Sequence, residues 1–305
     1  SGATMAFNEW YGATAFTDRA VWAGGYPNQN VIQYVNIATT GNAIDFGDLA
    51  ATERQGSGCS STTRGLFAGG TTTPSTIQYI TVDTTGNATD FGDLTESGRR
   101  FLAGCNSTTR GVFGGGQSDL GYGNVIDYVT IASTGNASDF GNITSNRSGV
   151  GSTSSSTRGL FAGGQSSSNV MDYITIASTG NASDFGDLTV GRWSSAGCGS
   201  HTRGVFGGGF GGSGRVNTID YITIASTGNA TDFGNFYGDA AIEMRGSASN
   251  STRGLWGGGN TTSNIDDIEY VTIASTGNGS DFGNLLSARS QMGNCLSNAN
   301  GGLQG

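Results

Sequence analysis

Arginine is the side chain in this sequence with most chemistry to offer, and it recurs at fixed spacing. Arg19, Arg64, Arg110, Arg158, Arg203 and Arg253 share a Thr-Arg-Gly or equivalent setting and are separated by 45, 46, 48, 45 and 50 residues. Arg54, Arg100, Arg147, Arg192, Arg245 and Arg289 recur at a second place. Converging guanidinium groups can clamp a carboxylate or a phosphate. A catalytic cluster, however, needs unlike residues meeting at one point, whereas equivalent residues of a repeat form rings. The expected role is structural: each arginine pairs with a carboxylate or a backbone carbonyl of the next repeat. Asp45, Asp90, Asp139, Asp184, Asp232 and Asp281 are the natural carboxylates.

Other chemistries find little to work with. The single histidine, His201, sits in a Ser/Thr turn, while a copper site needs at least two imidazoles. The tripeptide D-F-G occurs six times without the Gly-rich loop and H-R-D motif of a kinase. The glycine cluster 207–212 precedes a strand, so no helix terminus is there to hold phosphate. Asp266, Asp267 and Glu269 are clustered acids, but no D-x-D-x-D-G calcium loop is present. Glu53, Glu96 and Glu243 are candidates for glycoside hydrolysis, which requires two carboxylates about 5–9.5 Å apart. No spacing brings two of them together. The reading is therefore non-enzymatic, with no cofactor or metal, and a carbohydrate-active enzyme is the alternative.

The charge balance narrows the partners. The net charge is −9 and all 14 basic residues are arginine, scattered singly, so a nucleic-acid face is not expected. No apolar run reaches membrane-spanning length. Cys59, Cys105, Cys198 and Cys295 align at one place in their repeats. Equivalent positions of neighbouring repeats lie too far apart for a disulfide, so they read as buried free thiols, suited to a reducing cytoplasm. Asn87, Asn136, Asn181, Asn229 and Asn278 form Asn-x-Ser/Thr sequons, each in a T-G-N turn that favours Asn conformationally. The chain opens without Met and is read as processed or as an excerpt.

The elements that must position these residues are short strands. Each repeat holds four: a G-S-G-C-S type, then R-G-L-F-A-G-G, a variable loop, V-I-D-Y-V-T-I-A, a T-G-N turn, and A-S-D-F-G-D-L with a recurring Phe. A sheet of about 45 residues cannot bury both faces alone and must stack on its neighbours. The repeats run approximately 11–49, 54–94, 100–143, 147–188, 192–236 and 245–286 within one domain, 1–305. Residues 1–10 overlay the turn and fourth strand, and 289–305 overlay a first and second strand. An all-β propeller of seven four-stranded blades is expected, the last shared between the termini, with six blades as the alternative.

The pattern resembles the Kelch repeat: Gly69-Gly70 ends a strand, followed by Tyr79, Phe91 and then Arg99 or Arg100. The likeness covers essentially the whole chain, with Phe where the family usually has Trp. The T-G-N-A-S-D-F-G variant also looks like Kelch-like proteins encoded by tailed phages of marine bacteria. That resemblance implies a virion surface or tail-fibre component, assembled in host cytoplasm, with an extracellular or cell-surface setting as the alternative. The partners it implies are other virion or surface proteins, a cell-surface glycan, and further copies of the chain. Loops held by rigid frames are where binding concentrates. Tyr26, Asn28, Tyr122 and Phe210 are therefore the expected contact residues, while Arg64, Arg110, Arg158, Arg203, Arg253 and the aspartates hold the scaffold.

Overall fold

The computed structural model describes residues 18–237 and 242–299. They form six four-stranded antiparallel sheets, an all-β architecture consistent with the propeller-like fold that the repeat predicts. In sheet 3 the strands are Ala103–Asn106, Arg110–Gly114, Val125–Thr130 and Ser138–Asn142. Sheets 2, 4, 5 and 6 repeat this order from first strands Ser57–Ser60, Gly151–Ser154, Ala196–Gly199 and Gly246–Ser249. Each first strand touches the first strand of the next sheet, and the last touches the first. Together they line an axial cavity of about 110 Å³.

Sheet 1 departs from the expectation. Its second to fourth strands are Arg19–Ala23, Gln29–Asn36 and Ile44–Glu53, and its first strand is Cys295–Ser297 from the far end of the chain. The residues expected to open a seventh blade thus complete sheet 1, where Arg19–Ala23 would otherwise present an unpaired inner edge. Residues 1–10, the other expected part of that blade, lie outside the described residues. The register also corrects the cysteine alignment. Leu296, not Cys295, faces Val21 as Cys59 faces Leu66, and Cys295 faces Trp22 as Gly58 faces Phe67. A one-residue slip moves a side chain to the opposite face of the strand. Consistently, the sulfurs of Cys59, Cys105 and Cys198 point towards Gly111, Gly159 and Gly254 of the following sheet, whereas that of Cys295 meets Gly246 of the preceding one.

The recurring Phe is placed by a bulge. In sheet 3, Ile126 pairs with Gly141 and Asp127 with Asp139, so Phe140 is an extra residue and turns inward, 2% exposed. The same shift occurs in all six sheets. The D-F-G glycine follows at positive φ, and in Gly92 a Cβ would lie 2.5 Å from the backbone of Gly135 in the next sheet. Only glycine allows that approach.

Two further rings tie sheet to sheet. Arg64 donates to the Ile131 carbonyl at 2.9 Å and lies 4.4 Å over the Tyr79 ring. Arg110, Arg158 and Arg203 repeat this towards Ile176, Ile224 and Ile273, Arg253 towards Ile37, and Arg19 towards Val82, which closes the circle. In the T-G-N turns the Asn side chain accepts from the fourth strand of the preceding sheet, Asp93 N to Asn136 Oδ1 at 3.0 Å being typical. The sequon asparagines therefore have an inter-sheet role beyond turn conformation.

Candidate functional site

The first-to-second and third-to-fourth turns share one end of the molecule, here the turn face. The second-to-third loops and fourth-to-first connections share the other, the loop face, as bridges Arg100 to Gln117, Arg192 to Gly211 and Tyr26 to Ser290 show. Beneath the loop face lies a set of buried ion pairs. Arg99 pairs with Asp127, Arg147 with Asp172, Arg192 with Asp220 and Arg245 with Glu269. Burial lowers the guanidinium pKa of Arg99, Arg147 and Arg192, and the partner aspartate opposes it. Each arginine also donates to backbone carbonyls at the root of a loop, as Arg147 does to Gly163 and Val170 at 2.7 and 2.8 Å.

These partners differ from those expected. Asp45, Asp90, Asp139, Asp184, Asp232 and Asp281 are exposed, and the buried carboxylates come from the third strand instead. The exposed set precedes the bulge, so it faces solvent while Phe faces inward. Nor do the second-ring arginines share one backbone position. Arg99 takes the place assigned to Arg100, whose backbone is laddered to Gln117. Arg54 lies 5.1 Å over the ring of Tyr26. Arg245 starts three residues later than its counterparts, Ile242 standing at their position, yet delivers its guanidinium to the same kind of site.

The pattern changes on both sides of sheet 1. Glu53 replaces the arginine before sheet 2, and its carboxylate accepts from the backbone of Thr71, Thr72 and Thr73. Gln78 replaces the aspartate there and accepts from Ala50 N at 2.8 Å. Before sheet 1, Arg289 has Gln33 at the register position where its counterparts have an acid. It donates to Gly24 O and Ser287, and burial pushes its pKa down to about 10.

Above this floor, the mouth of the axial cavity is a closed backbone ring. Phe101 N donates to Gln55 O, Gly149 N to Phe101 O, Ser194 N to Gly149 O, Met244 N to Ser194 O, Gln291 N to Met244 O, and Gln55 N to Gln291 O, at 2.6–3.3 Å. All six residues have φ between 54° and 66°, and five are not glycine. A non-glycine residue in that region costs about 1–2 kcal/mol, so the ring keeps side chains at some expense. They enclose a pocket of about 60 Å³ that shares its floor with the axial cavity. Gln55 Nε2 donates to Gln291 Oε1 at 2.6 Å.

Beside the mouth, Phe101, Trp193 and Phe210 form a half-buried aromatic shelf, with centroids 6.3 and 6.2 Å apart. Of the expected contact residues, Phe210 belongs to this shelf. Tyr26 and Asn28 are exposed in the loop of sheet 1, and Tyr122 hydrogen-bonds Gln165 of the next loop at 2.7 Å. The four do not converge. Trp193, Phe101 and Met244 were not singled out from the sequence, although Phe101, Ser194 and Met244 each stand two residues before a first strand and so share one position, with Trp193 one residue earlier.

Of the three candidate acids near this face, Glu243 and Glu53 are engaged. Glu243 pairs with Arg215 at 3.1 Å, and burial raises its pKa. Glu53 is held by backbone amides, and Glu96 is exposed. All four cysteines are buried free thiols. Burial raises the pKa of each, to about 12 for Cys105 and Cys198. Among the described residues no three or more His, Cys, Asp or Glu side chains gather as a metal site, and no helix is long and apolar enough to cross a membrane. No family model matches the chain, and no curated protein matches it.

Proposed function

We propose that this chain is a six-bladed β-propeller of Kelch-like repeats that acts as a non-enzymatic recognition scaffold, binding a glycan or a protein through its loop face. One observation carries this reading. Among the described residues, the exposed large apolar side chains Tyr26, Leu120, Tyr122, Val190, Tyr237 and Leu286 all belong to loop-face segments, and only Ile44 lies elsewhere. Scattered apolar residues need no explanation, but their concentration on one end, which also carries the aromatic shelf, supports an interaction surface there. The virion setting rests on the likeness of the T-G-N-A-S-D-F-G repeat to phage-encoded proteins, and other virion proteins are then the alternative partners of the same face.

Binding of the protein to a glycan array and to whole bacterial cells tests this, comparing the parent with Trp193→Ala, Phe210→Ala and a turn-face control, Thr179→Lys. The expected result is loss of binding in the first two and none in the control. Equal binding by all four proteins, or loss only in the control, overturns the assignment of the face.

A further inference from the structure

We propose that the channel mouth on the loop face is a pocket for the acetamido group of an N-acetylated sugar, with the sugar ring lying against the Phe101–Trp193–Phe210 shelf. This rests on the recognition reading above and names the ligand class.

The pocket selects by charge and shape. Arg245 is the one ionic side chain in its lining, and its guanidinium is already bound to Glu269, Trp256 O and Asp267 O. The charge of that guanidinium is thus compensated by Glu269, so a carboxylate, sulfate or phosphate meets no uncompensated positive charge, and entering would cost it its hydration. A neutral group faces no such cost. At about 60 Å³ the pocket takes a group of about four heavy atoms, judged by the 10–15 Å³ that one water needs on the same measure. A whole pyranose is too large, whereas a substituent of one fits.

The lining is amphipathic. Phe101 and Met244 supply apolar walls, and the amides of Gln55 and Gln291 with the hydroxyls of Ser194 and Ser195 supply polar ones. The Ser194 and Ser195 Oγ atoms are buried and take no hydrogen bond from the protein, and Ser195 as a whole is 7% exposed. Buried hydroxyls without partners are uncommon, so each needs a reason. A carbonyl oxygen in the pocket would accept from them, and a methyl group would pack on Met244 and Phe101. An acetamido group has both ends.

The backbone supports the same reading. Glycine would occupy all six ring positions without strain, yet only Gly149 does. Strained residues kept at a symmetric ring, with Gln, Phe, Ser and Met side chains among the five, point to a use for those side chains. Gly149 lets Trp193 approach the mouth closely: a Cβ there would lie 3.3 Å from the Trp193 ring and 3.4 Å from Ser194 Oγ. Phe101 belongs both to the shelf and to the pocket lining, so a sugar ring on the shelf sets its substituent at the mouth.

Saturation-transfer NMR and calorimetry on the whole chain test this with the methyl glycosides of N-acetylglucosamine, N-acetylgalactosamine and glucose. The variants are Ser194→Gly and Met244→Gly, which relieve backbone strain, with Trp193→Ala for the shelf. The expected result is saturation centred on the acetyl methyl and binding about tenfold weaker for the glucoside. A similar loss is expected in Ser194→Gly, with an unfolding midpoint no lower than the parent's. Binding that ignores the acetyl group, or survives both glycine variants, overturns the pocket. If such binding is still lost in Trp193→Ala, the recognition face stands without it, and absence of binding to every glycan and cell removes both.

Discussion

On the turn face, six Gly-Asn turns make the same contacts: a glycine N–H to the Phe carbonyl of the preceding sheet, an Asn side chain on that sheet's fourth strand, an arginine on a carbonyl of the following sheet. On the loop face, six connections of unequal length stand on buried Arg–carboxylate pairs, which change only beside sheet 1. The difference teaches how a repeat can vary without falling apart. Where backbone approaches backbone, nothing but glycine and asparagine is accepted. Where the support is a buried ion pair below the surface, the loops above it are released to carry different residues.

The largest effect is expected from removing that support. Arg147→Met leaves Asp172 buried without its cation and should cost about 3–5 kcal/mol in denaturant unfolding. Adding Asp172→Leu should restore much of the loss. A loss below about 1 kcal/mol would mean the pair does not hold the loop face. The turn face should break next: Gly92→Ala forces a Cβ against Gly135 at positive φ and should cost about 2–4 kcal/mol.

The exception beside sheet 1 offers a gain. Gln33→Asp gives Arg289 the acid that its counterparts have and should stabilise by about 2 kcal/mol at neutral pH. Burial pushes Arg289 below its ordinary value to about 10, so the folded protein releases this proton first and its contribution to stability rises as pH climbs above about 10. The advantage of Gln33→Asp should thus be full below pH 10 and shrink above it. An advantage independent of pH, or none, would show that Arg289 is satisfied by Gly24 and Ser287. Smallest of all, deleting 118–121 from the loop of sheet 3 should change stability by less than about 0.5 kcal/mol, since it removes the fully exposed Leu120 and leaves the pair beneath intact.

Much of the scaffold is legible in the chain because it is local. The T-G-N turn, the inward Phe and the Thr-Arg-Gly arginine recur at fixed offsets, and their strands and interlocks follow from periodicity and glycine chemistry. What is not legible depends on register between distant segments. A one-residue shift near the C-terminus sends Cys295 to the opposite face of its strand and puts Leu296 in the thiol position, which alignment alone cannot detect. The choice between Asp139 and Asp127 as arginine partner is set by a bulge, and a bulge is known only once two strands are paired.

The sequence by itself determined a six-fold repeat of short strands, its joints of Arg, Gly, Asn and Phe, and the irregular loops, because each is encoded within one repeat. Only the tertiary structure decided that residues 295–297 complete sheet 1, that Gln55, Phe101, Gly149, Ser194, Met244 and Gln291 meet in one ring, and that the aromatic shelf stands beside it. Those residues lie about a repeat apart, and nothing short of closing the ring of sheets brings them together.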